Sequence, residues 1–510
     1  MNAQQIMEVD HTTYKNALEA IRDQIREING NMSEDIVVLL GNGTYQLDTT
    51  LILTNEDAGT NGYRVIWRAA TPGKVHLSGG TVITGWSLHD PENNIWKAKV
   101  SAKKFRQIYV DGERRTRART PNSNGNINLG PYFKTNGVDL ENRTLTVDKS
   151  EIREWANFSD VEMVFYPSWY HNRLHLSSYE VAGQEAKISF NSNTDYAFKK
   201  DKKFYINAPY FFENAYEFLD LEGEWYLSSK NNFLYYKPLP GEDMEKVKVV
   251  APQIKTLVSI YGNGPGTKVK NITFEGITFS HSTWTYPSDN GLVLTQAFQP
   301  QPMTLEGSFD EAVRPPGAVR VDFGESINFY RNTFTQLGAN GLCYFIGNTN
   351  CEVDGNTFEY ISGNGLVIDE YNALSPKLAH QTRGFRVTNN YIQFVGMDYS
   401  NGIGILANRV SNLIIENNTL TNLPYTAIQV GNQPKPGKEP ATEDISISFN
   451  EISNFTNIHS DGGAIYTLGD QPGCVIRENY IHDWDRPEYE SKIAPSAGVY
   501  LDNYGRFMVV

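Results

Sequence analysis

The sequence predicts an all-β fold: a parallel β-helix solenoid with an N-terminal capping helix and an inserted antiparallel, β-sandwich-like domain. Three observations lead to this prediction. A strand-like pattern recurs seven times in the second half of the chain, an amphipathic helix precedes the first strands, and an aromatic-rich stretch without the repeat interrupts the pattern. The predicted domains are therefore 1–85 (cap and first coils), 86–250 (insertion) and 251–510 (coils carrying the groove).

The repeat combines two strand-like segments in each coil. The first segment alternates and then reaches a corner that is Asn in six of the seven copies, as in "INFYRNTF" (327–334) and "LIIENNTL" (413–420). A second apolar segment follows, as in "NGLCYF" (340–345) and "GGAIYTL" (462–468). One coil cannot bury its apolar face alone, so repeats at this spacing indicate a solenoid, and uneven coil lengths favour a β-helix. The corner residues Asn332, Asn356, Asn390, Asn418, Asn450 and Asn479 are expected to form a structural ladder rather than to catalyse.

The cap is predicted from the segment "TTYKNALEAIRDQIREING" (12–30). Leu18, Ile21 and Ile25 fall on one helical face, and a glycine ends the pattern. Such a helix would cover the unpaired end of the first coil.

The insertion is predicted because the repeat stops between about 86 and 250. This stretch carries Trp96, Trp155, Trp169 and Trp225, and runs such as "GEWYLSSKNNFLYYKPL" alternate as antiparallel strands do.

Composition restricts the function classes. The formal net charge of −14 disfavours a nucleic-acid partner, and no window holds the ~18–20 apolar residues of a membrane span. The three cysteines lack CxxC spacing and are expected to be buried, so neither a disulfide scaffold nor a structural metal site is predicted.

The two ends of the sequence carry expectations of their own. The first residues show no basic and apolar leader pattern, so an intracellular location is expected for the sequence as written. The chain stops at "GRFMVV" in the middle of what resembles a new coil, so we expect either an unusual cover for that end or a longer protein.

Carboxylates at strand ends are the candidate catalytic groups. "HSDGGAIYTLGD" (459–470) offers Asp461 at a glycine turn and Asp470, and "SAGVYLDNYG" (496–505) offers Asp502 after a strand. An earlier coil offers Asp369 and Glu370 in "GLVIDEYN" (365–372). Two carboxylates facing one groove suit glycosidic acid/base chemistry, in which one donates a proton and the other activates water or attacks the sugar.

Neighbouring side chains complete the candidate site. Tyr466, Tyr500 and Trp169 could stack on sugar rings, and His459 could bind a hydroxyl or tune Asp461. Long coil insertions at 280–320, 370–384, 432–442 and 484–496 are expected to form the walls of a cleft. One difficulty remains: in straight strands Asp461 precedes its strand while Asp502 ends the next, which separates them by more than glycosidases use. A register shift, a bend or a wrong assignment would each explain this.

Five segments carry a family resemblance: "LLGNGTYQL", "IYVDGERRTRARTPN", "FFENAYEFLDLEGEWYLSSKNNFLYYKP", "SDGGAIYTLGD" and "AGVYLDNYG". With them the sequence resembles right-handed parallel β-helix enzymes of the pectate-lyase superfamily, most specifically glycoside hydrolase family 141. The resemblance implies a glycosidase with Asp461 and Asp502 as the catalytic pair, and fucosyl or xylosyl linkages in plant-type polysaccharides as the substrate. The family often has a second Asp after the YLD segment, where this chain has Asn503.

Two other functions stay open at the level of sequence: a polysaccharide lyase or epimerase of the same fold, and a non-catalytic glycan-binding β-helix. A lyase would need a basic residue beside clustered acids, which is not visible, and "NTD" (193–195) falls in the insertion. The expected partner is a carbohydrate, with no cofactor, no metal, no membrane and a monomeric state.

Overall fold

The protein was examined as a computed structural model, which describes residues 4–12, 17–100, 104–124, 130–191, 195–300, 314–368, 380–431, 442–484 and 495–510. Of the predicted cleft walls, 370–384, 432–442 and 484–496 fall largely outside the described residues, whereas 280–320 is described except for 301–313.

Three parallel sheets form the solenoid, and each coil contributes one strand to each sheet. The front sheet contains Leu51–Leu53, Val258–Tyr261, Gly317–Asp322, Asn340–Ile346, Leu366–Ile368, Ile405–Ala407, Ile428–Val430 and the first parts of Gly463–Arg477 and Ala497–Val509. The side sheet contains Gln4–Val9, Asp35–Leu40, Val65–Ala69, Val269–Glu275, Gly324–Tyr330, Glu352–Asp354, Thr382–Thr388, Val410–Glu416, Glu443–Ser448 and the second parts of the same two long strands. The back sheet contains Gly43–Gln46, Val75–Ser78, Thr278–Ser282, Thr333–Leu337, Thr357–Ile361, Tyr391–Val395, Thr419–Thr421, Glu451–Ser453 and Tyr480–His482.

The core of the solenoid is a continuous stack of apolar side chains inside the three sheets. Files of like residues stack from coil to coil: the rings of Phe274 and Phe329 lie 5.1 Å apart, and those of Phe334 and Phe358 lie 4.7 Å apart. Alternation in each strand sends the neighbouring residues outward, where they can meet ligand or insertion. The predicted all-β parallel solenoid is thus confirmed.

The asparagine ladder is confirmed by its hydrogen bonds. Each Asn side-chain amide donates to the side-chain oxygen of the Asn one coil further on, at 2.9–3.1 Å from Asn332 to Asn479. The same oxygen also accepts the backbone N–H of the preceding Asn, so the buried corner satisfies its polar groups internally.

The N-terminal helix Ala17–Ile28 places Ala17, Leu18, Ile21 and Ile25 in the solenoid core. Its apolar face therefore covers the end of the first coils, as predicted. A second α-helix spans Tyr286–Asn290, and short 3₁₀ turns span Asn29–Asn31, Asn55–Asp57, Lys149–Glu151, Phe158–Asp160, Lys202–Phe204, Tyr216–Phe218 and Gln296–Phe298. No helix in the described ranges is long and apolar enough to cross a membrane.

The insertion is built from short, mostly antiparallel strands around its own aromatic cores. Its strands are Gly80–Ile83, Ser87–Asp90, Ile95–Lys99, Tyr109–Val110, Glu113–Arg114, Thr116–Arg117, Arg119–Thr120, Phe133–Lys134, Gly137–Asp139, Thr144–Asp148, Glu162–Phe165, His171–Ala182, Glu185–Phe190, Pro209–Glu213, Glu224–Leu227, Phe233–Tyr236 and Val249–Pro252. Leu292–Leu294, from a solenoid coil, pairs with His171–Ala182 and ties the insertion to the β-helix.

We propose the domain limits 1–85, 86–250 and 251–510. They are supported by the antiparallel pairing of Gly80–Ile83 with Val249–Pro252, where the chain enters and leaves the insertion.

Candidate active site

The turn before strand Gly463–Arg477 bends the chain at Asp461. Asp461 adopts a φ of 63°, and its backbone carbonyl accepts a hydrogen bond from the Tyr425 hydroxyl at 2.7 Å. The two glycines that follow allow close packing: a Cβ on Gly462 would lie 2.7 Å from the Tyr425 ring, and one on Gly463 would lie 2.7 Å from the carbonyl oxygen of Ala497. The glycines are therefore required by the contact between coils, and the bend directs the carboxylate of Asp461 out of the stack.

The Asp461 carboxyl group is partly buried and held by the next coil. Its Oδ1 accepts a hydrogen bond from the Tyr500 hydroxyl at 3.1 Å. Burial raises the pKa of Asp461 to about 6; the charge of Asp502 adds to this rise, whereas the Tyr500 hydrogen bond and Lys200 oppose it. Burial and a neighbouring carboxylate are the environment that keeps a carboxylic acid protonated in a catalytic site.

Asp502 lies at the end of the front-sheet part of its strand, in register with Leu468. Its Oδ2 accepts from the Tyr466 hydroxyl at 2.5 Å and from the Asn503 side-chain amide at 2.7 Å. Its Oδ1 accepts from the Asn503 backbone N–H at 2.8 Å. The three donors hold the Asp502 carboxyl group in one orientation.

The structure bears on the sequence difficulty over the separation of the pair. The register is the one expected from the apolar runs, with Tyr466 opposite Tyr500, and Asp461 lies in the turn before its strand with a φ of 63°. The charge of Asp502 acts on Asp461, so the two carboxylates lie within electrostatic reach of each other.

The insertion supplies one wall of the site. The Lys200 Nζ lies 3.9 Å from the centre of the Trp169 ring and 4.6 Å from that of Tyr170. Burial lowers the pKa of Lys200, and the negative charge of Asp461 opposes that change. Trp169 is partly exposed beside this lysine, in a position where a sugar could contact it.

Lys200, Tyr425 and Gln296 are functional candidates that the sequence analysis missed. The Gln296 side-chain amide donates to the Tyr425 hydroxyl at 3.0 Å, and that hydroxyl in turn donates to the Asp461 carbonyl. Lys200 sits among several lysines in the segment 199–203, so no local pattern distinguished it.

His459 does not occupy the predicted sugar-binding position. It is fully buried, its Nε2 lies 2.7 Å from the Ser400 hydroxyl, and its Nδ1 lies 3.0 Å from the Ser168 carbonyl oxygen. Burial lowers the pKa of His459 to about 4, so the ring is neutral at neutral pH. Both ring nitrogens are engaged, and the histidine therefore fixes the Asp461 turn to the insertion instead of contacting substrate.

The other predicted contacts separate into two groups. Asp470 forms a two-point ion pair with Arg506, at 2.8 and 2.9 Å, and this partner lowers the pKa of Asp470. Asp369 and Glu370 lie outside the described residues. Tyr466 donates a hydrogen bond to Asp502, and Tyr500 donates one to Asp461.

Among the described residues, no group of three or more His, Cys, Asp or Glu side chains is placed to hold a metal ion.

Comparisons with known proteins give the class of the molecule. The model of the GH141 insertion domain matches residues 93–239, and that of the right handed beta helix region matches 256–438. A solved structure titled "Glycoside hydrolase" is 26% identical, with a TM-score of 0.87 over 99% of this chain and 96% of that chain. The protein is a glycosidase built on a right-handed parallel β-helix. More narrowly, it is a GH141-like enzyme, as the sequence resemblance predicted.

More distant structures share less. The structure titled "The complex structure of XylC with xylose" is 10% identical over 94% of this chain and 70% of that chain, with a TM-score of 0.47. The alginate lyase from Paenibacillus sp. str. FPU-7 is 9% identical over 99% of both chains, with a TM-score of 0.36. Both scores lie below the level at which a common fold is inferred. A comparison with curated proteins finds no match.

Proposed function

We propose that this glycosidase cleaves fucosyl or xylosyl linkages in plant-type polysaccharides or their oligosaccharides, with Asp461 as general acid and Asp502 as general base or nucleophile. The observation that carries the assignment is the contrast between the two carboxyl groups. Asp461 is partly buried with a pKa raised to about 6, whereas Asp502, at the end of a front-sheet strand, is held in place by three hydrogen-bond donors. A carboxyl group that stays protonated can serve as the acid, and a second one fixed within its electrostatic reach can serve as base or nucleophile.

The chemistry follows from these protonation states. Protonated Asp461 donates its proton to the glycosidic oxygen, so the leaving sugar departs as a neutral alcohol. Asp502 either removes a proton from the water that attacks the anomeric carbon or attacks that carbon itself, and the anomer formed first distinguishes the two courses. At the end of the cycle Asp461 is protonated again and Asp502 is ionised.

The substrate position is proposed from the surroundings of the pair. Tyr500 and Trp169 are both partly exposed, and Lys200 lies between Trp169 and Asp461. Aromatic faces next to hydrogen-bonding groups suit sugars, whose rings combine apolar C–H faces with hydroxyl edges. A monomer suffices for the reaction, because one chain supplies both carboxylates and the wall.

The test is hydrolysis of a panel of aryl fucosides, aryl xylosides and plant polysaccharides by the wild type, Asp461→Asn and Asp502→Asn. Loss of a general acid costs about 10²–10⁴-fold in rate, but less on substrates with acidic phenol leaving groups, which need no proton. We therefore expect Asp461→Asn to keep much of its activity on dinitrophenyl glycosides and Asp502→Asn to lose activity on every substrate.

Asp470→Asn is the matched control, because it makes the same change on the strand that follows the Asp461 turn and its carboxylate is paired with Arg506. It should retain wild-type turnover. Full activity in both Asp461→Asn and Asp502→Asn would refute the assignment of the pair, and a panel in which only other glycosides are cleaved would refute the substrate class alone.

A further inference from the structure

A buried group of arginines lies between the insertion and the β-helix, separate from the carboxylate pair. We call Arg106, Arg114, Arg117, Arg119 and Arg173 the arginine cluster; each of the five has at most 11% of its side chain or residue exposed. Four of them come from the segment "IYVDGERRTRARTPN" and its flank, which no step of the proposed hydrolysis uses.

Three carboxylates contact the arginine cluster. The guanidinium groups of Arg106, Arg117 and Arg173 each contact both Glu162 and Glu213. Arg114 pairs with Asp398 on the β-helix side. The nearby Arg115 has its own partners, Glu242 at 2.7 Å and Glu113 at 3.0 Å.

Arg119 has no carboxylate partner among the described residues. Its guanidinium donates to the carbonyl oxygens of Pro121 and Pro131 at 3.0 Å and lies 3.7 Å from the centre of the Phe211 ring. The neighbouring Glu224 accepts the backbone N–H of Arg119, and burial raises the pKa of Glu224 to about 8, so it is mostly uncharged at neutral pH.

The balance of charge is therefore uneven. Five guanidinium groups face three carboxylates, which leaves an excess of two positive charges in a buried region of the described structure. Buried charge without a counter-charge is costly, and the usual remedy is an ion of the opposite sign.

The same side chains carry unused hydrogen-bond donors. Each arginine of the cluster has one buried N–H group without an acceptor among the described residues: Arg106 Nε, Arg114 Nη1, Arg117 Nε, Arg119 Nη1 and Arg173 Nε. Buried polar groups in folded proteins are normally satisfied, and five such donors on residues that line one cavity indicate a missing acceptor.

A cavity of about 40 Å³ lies at this point and is lined by all five arginines, with Phe211, Met397 and Asp398 among the other wall residues. A second cavity, of about 130 Å³, is lined by Arg117 of the cluster and by its partner Glu162. Neither Asp461 nor Asp502 lines this cavity. The smaller cavity exceeds the ~10–15 Å³ that a single water needs, and it is too enclosed for a polysaccharide chain.

We propose that the arginine cluster binds one small inorganic oxyanion, of the size of phosphate or sulfate. Planar guanidinium groups present parallel N–H pairs that match oxyanion geometry, and an oxyanion supplies both the missing charge and the missing acceptors. The site joins the insertion to the β-helix, because Arg114 pairs with Asp398 and Arg173 Nη2 donates to the Asp398 carbonyl oxygen at 3.1 Å. It thereby fixes the domain that carries Trp169 and Lys200 relative to the coil that carries Asp461.

The test is equilibrium dialysis of the full chain against radiolabelled phosphate, with sulfate as a competitor, after exhaustive dialysis into a buffer without either ion. Ion chromatography of the acid-denatured protein determines any oxyanion retained from purification. We expect one oxyanion per chain, bound or retained, and displacement of phosphate by sulfate. Arg119→Met should weaken binding about tenfold or more, because it removes the guanidinium that has no carboxylate partner.

Arg477→Met is the control, since it removes the same charge from an exposed arginine outside the cavity and should bind phosphate as the wild type does.

Met397→Glu is a second test that keeps every arginine. Its carboxylate would fill the cavity, and we expect a folded protein that binds no phosphate. No bound or retained oxyanion in the wild type, one chloride in its place, or equal binding by the wild type and Met397→Glu would each overturn the proposal.

Discussion

Tyr466 and Tyr500 lie opposite each other on neighbouring coils of the front sheet, with ring centroids 5.2 Å apart and ring planes at 81°. Each hydroxyl holds a different carboxylate: Tyr500 donates to Asp461 and Tyr466 donates to Asp502. The parallel register fixes the two tyrosines, and through their hydroxyls neighbouring coils hold both carboxylates, Asp461 in a turn and Asp502 in a strand.

Tyr500→Phe is expected to shift the basic limb of the pH profile of kcat/KM to higher pH. The Tyr500 hydrogen bond stabilises the ionised form of Asp461 and so lowers its pKa, against the larger effect of burial. Its removal raises the pKa of Asp461 above about 6, so the general acid stays protonated over a wider range. A hydrogen bond to a charged group contributes about 1.5 kcal/mol, which corresponds to a shift of about one pH unit.

The control for this shift is Tyr391→Phe, which removes a hydroxyl from an exposed tyrosine of the back sheet that contacts Gln393. Its pH profile should match that of the wild type. A Tyr500→Phe profile that is lower in amplitude but unmoved along the pH axis would show that Asp461 is not the group responsible for the basic limb.

Asn503→Asp is expected to lower kcat/KM about tenfold, the effect of losing one hydrogen bond to a charged group. Asn503 donates both its backbone and its side-chain N–H groups to Asp502, and a carboxylate at this position would replace a donor with a like charge. Asn503→Ala separates the two effects, because it removes the side-chain donor without adding charge; an equal loss of kcat/KM in both variants would contradict the repulsion argument.

Asp461→Asn is expected to stabilise the protein at alkaline pH. The folded-state pKa of about 6 lies above the ordinary value of 3.8, so the folded protein holds a proton that the unfolded chain has already released. Stability is therefore lost as the pH rises through this window, and an uncharged Asn avoids the loss. The expected gain in the free energy of unfolding is about 2 kcal/mol near pH 8 and close to zero near pH 4, measured by urea unfolding.

Asp470→Asn should change stability with the opposite sign. Arg506 lowers the pKa of Asp470, so this carboxylate stabilises the folded state above its ordinary pKa, and its contribution is lost as the pH falls. If Asp461→Asn stabilised the protein equally at both pH values, the burial of a charged carboxylate would not be the cause.

The solenoid could be predicted from the sequence because its signals are local and repeated. The corner Asn recurs once per coil, as in Asn390 and Asn418, and each strand shows its own alternation. A coil with a weak pattern can therefore still be assigned from the coils next to it. The order of the coils along the chain is also their order in space, which removes most of the topological choice.

The site was less predictable because it depends on side chains that meet from distant parts of the chain. Asp461 and Asp502 are proposed from the turn and strand-end pattern, but the turn at Asp461 is held by the hydroxyl of Tyr425, 36 residues away. His459 is predicted from the sequence to bind a sugar hydroxyl or tune Asp461, and its ring instead contacts the Ser168 carbonyl oxygen of the insertion, 291 residues away. Such contacts leave no periodic trace in the sequence.

Asn418→Ala is expected to destabilise the solenoid more than any exposed substitution in the same coil. The Asn418 side chain donates to the Val387 carbonyl and to Asn450, and it accepts from Asn390, all inside the stack. Alanine would leave several buried partners without hydrogen bonds, at about 1–3 kcal/mol for each unsatisfied group. We expect a loss of about 3 kcal/mol in the free energy of unfolding, measured by urea titration. Asn479→Ala, at the partly exposed last rung, should cost less because water can replace its bonds; equal losses at the two positions would show that the ladder is not stabilised by its burial.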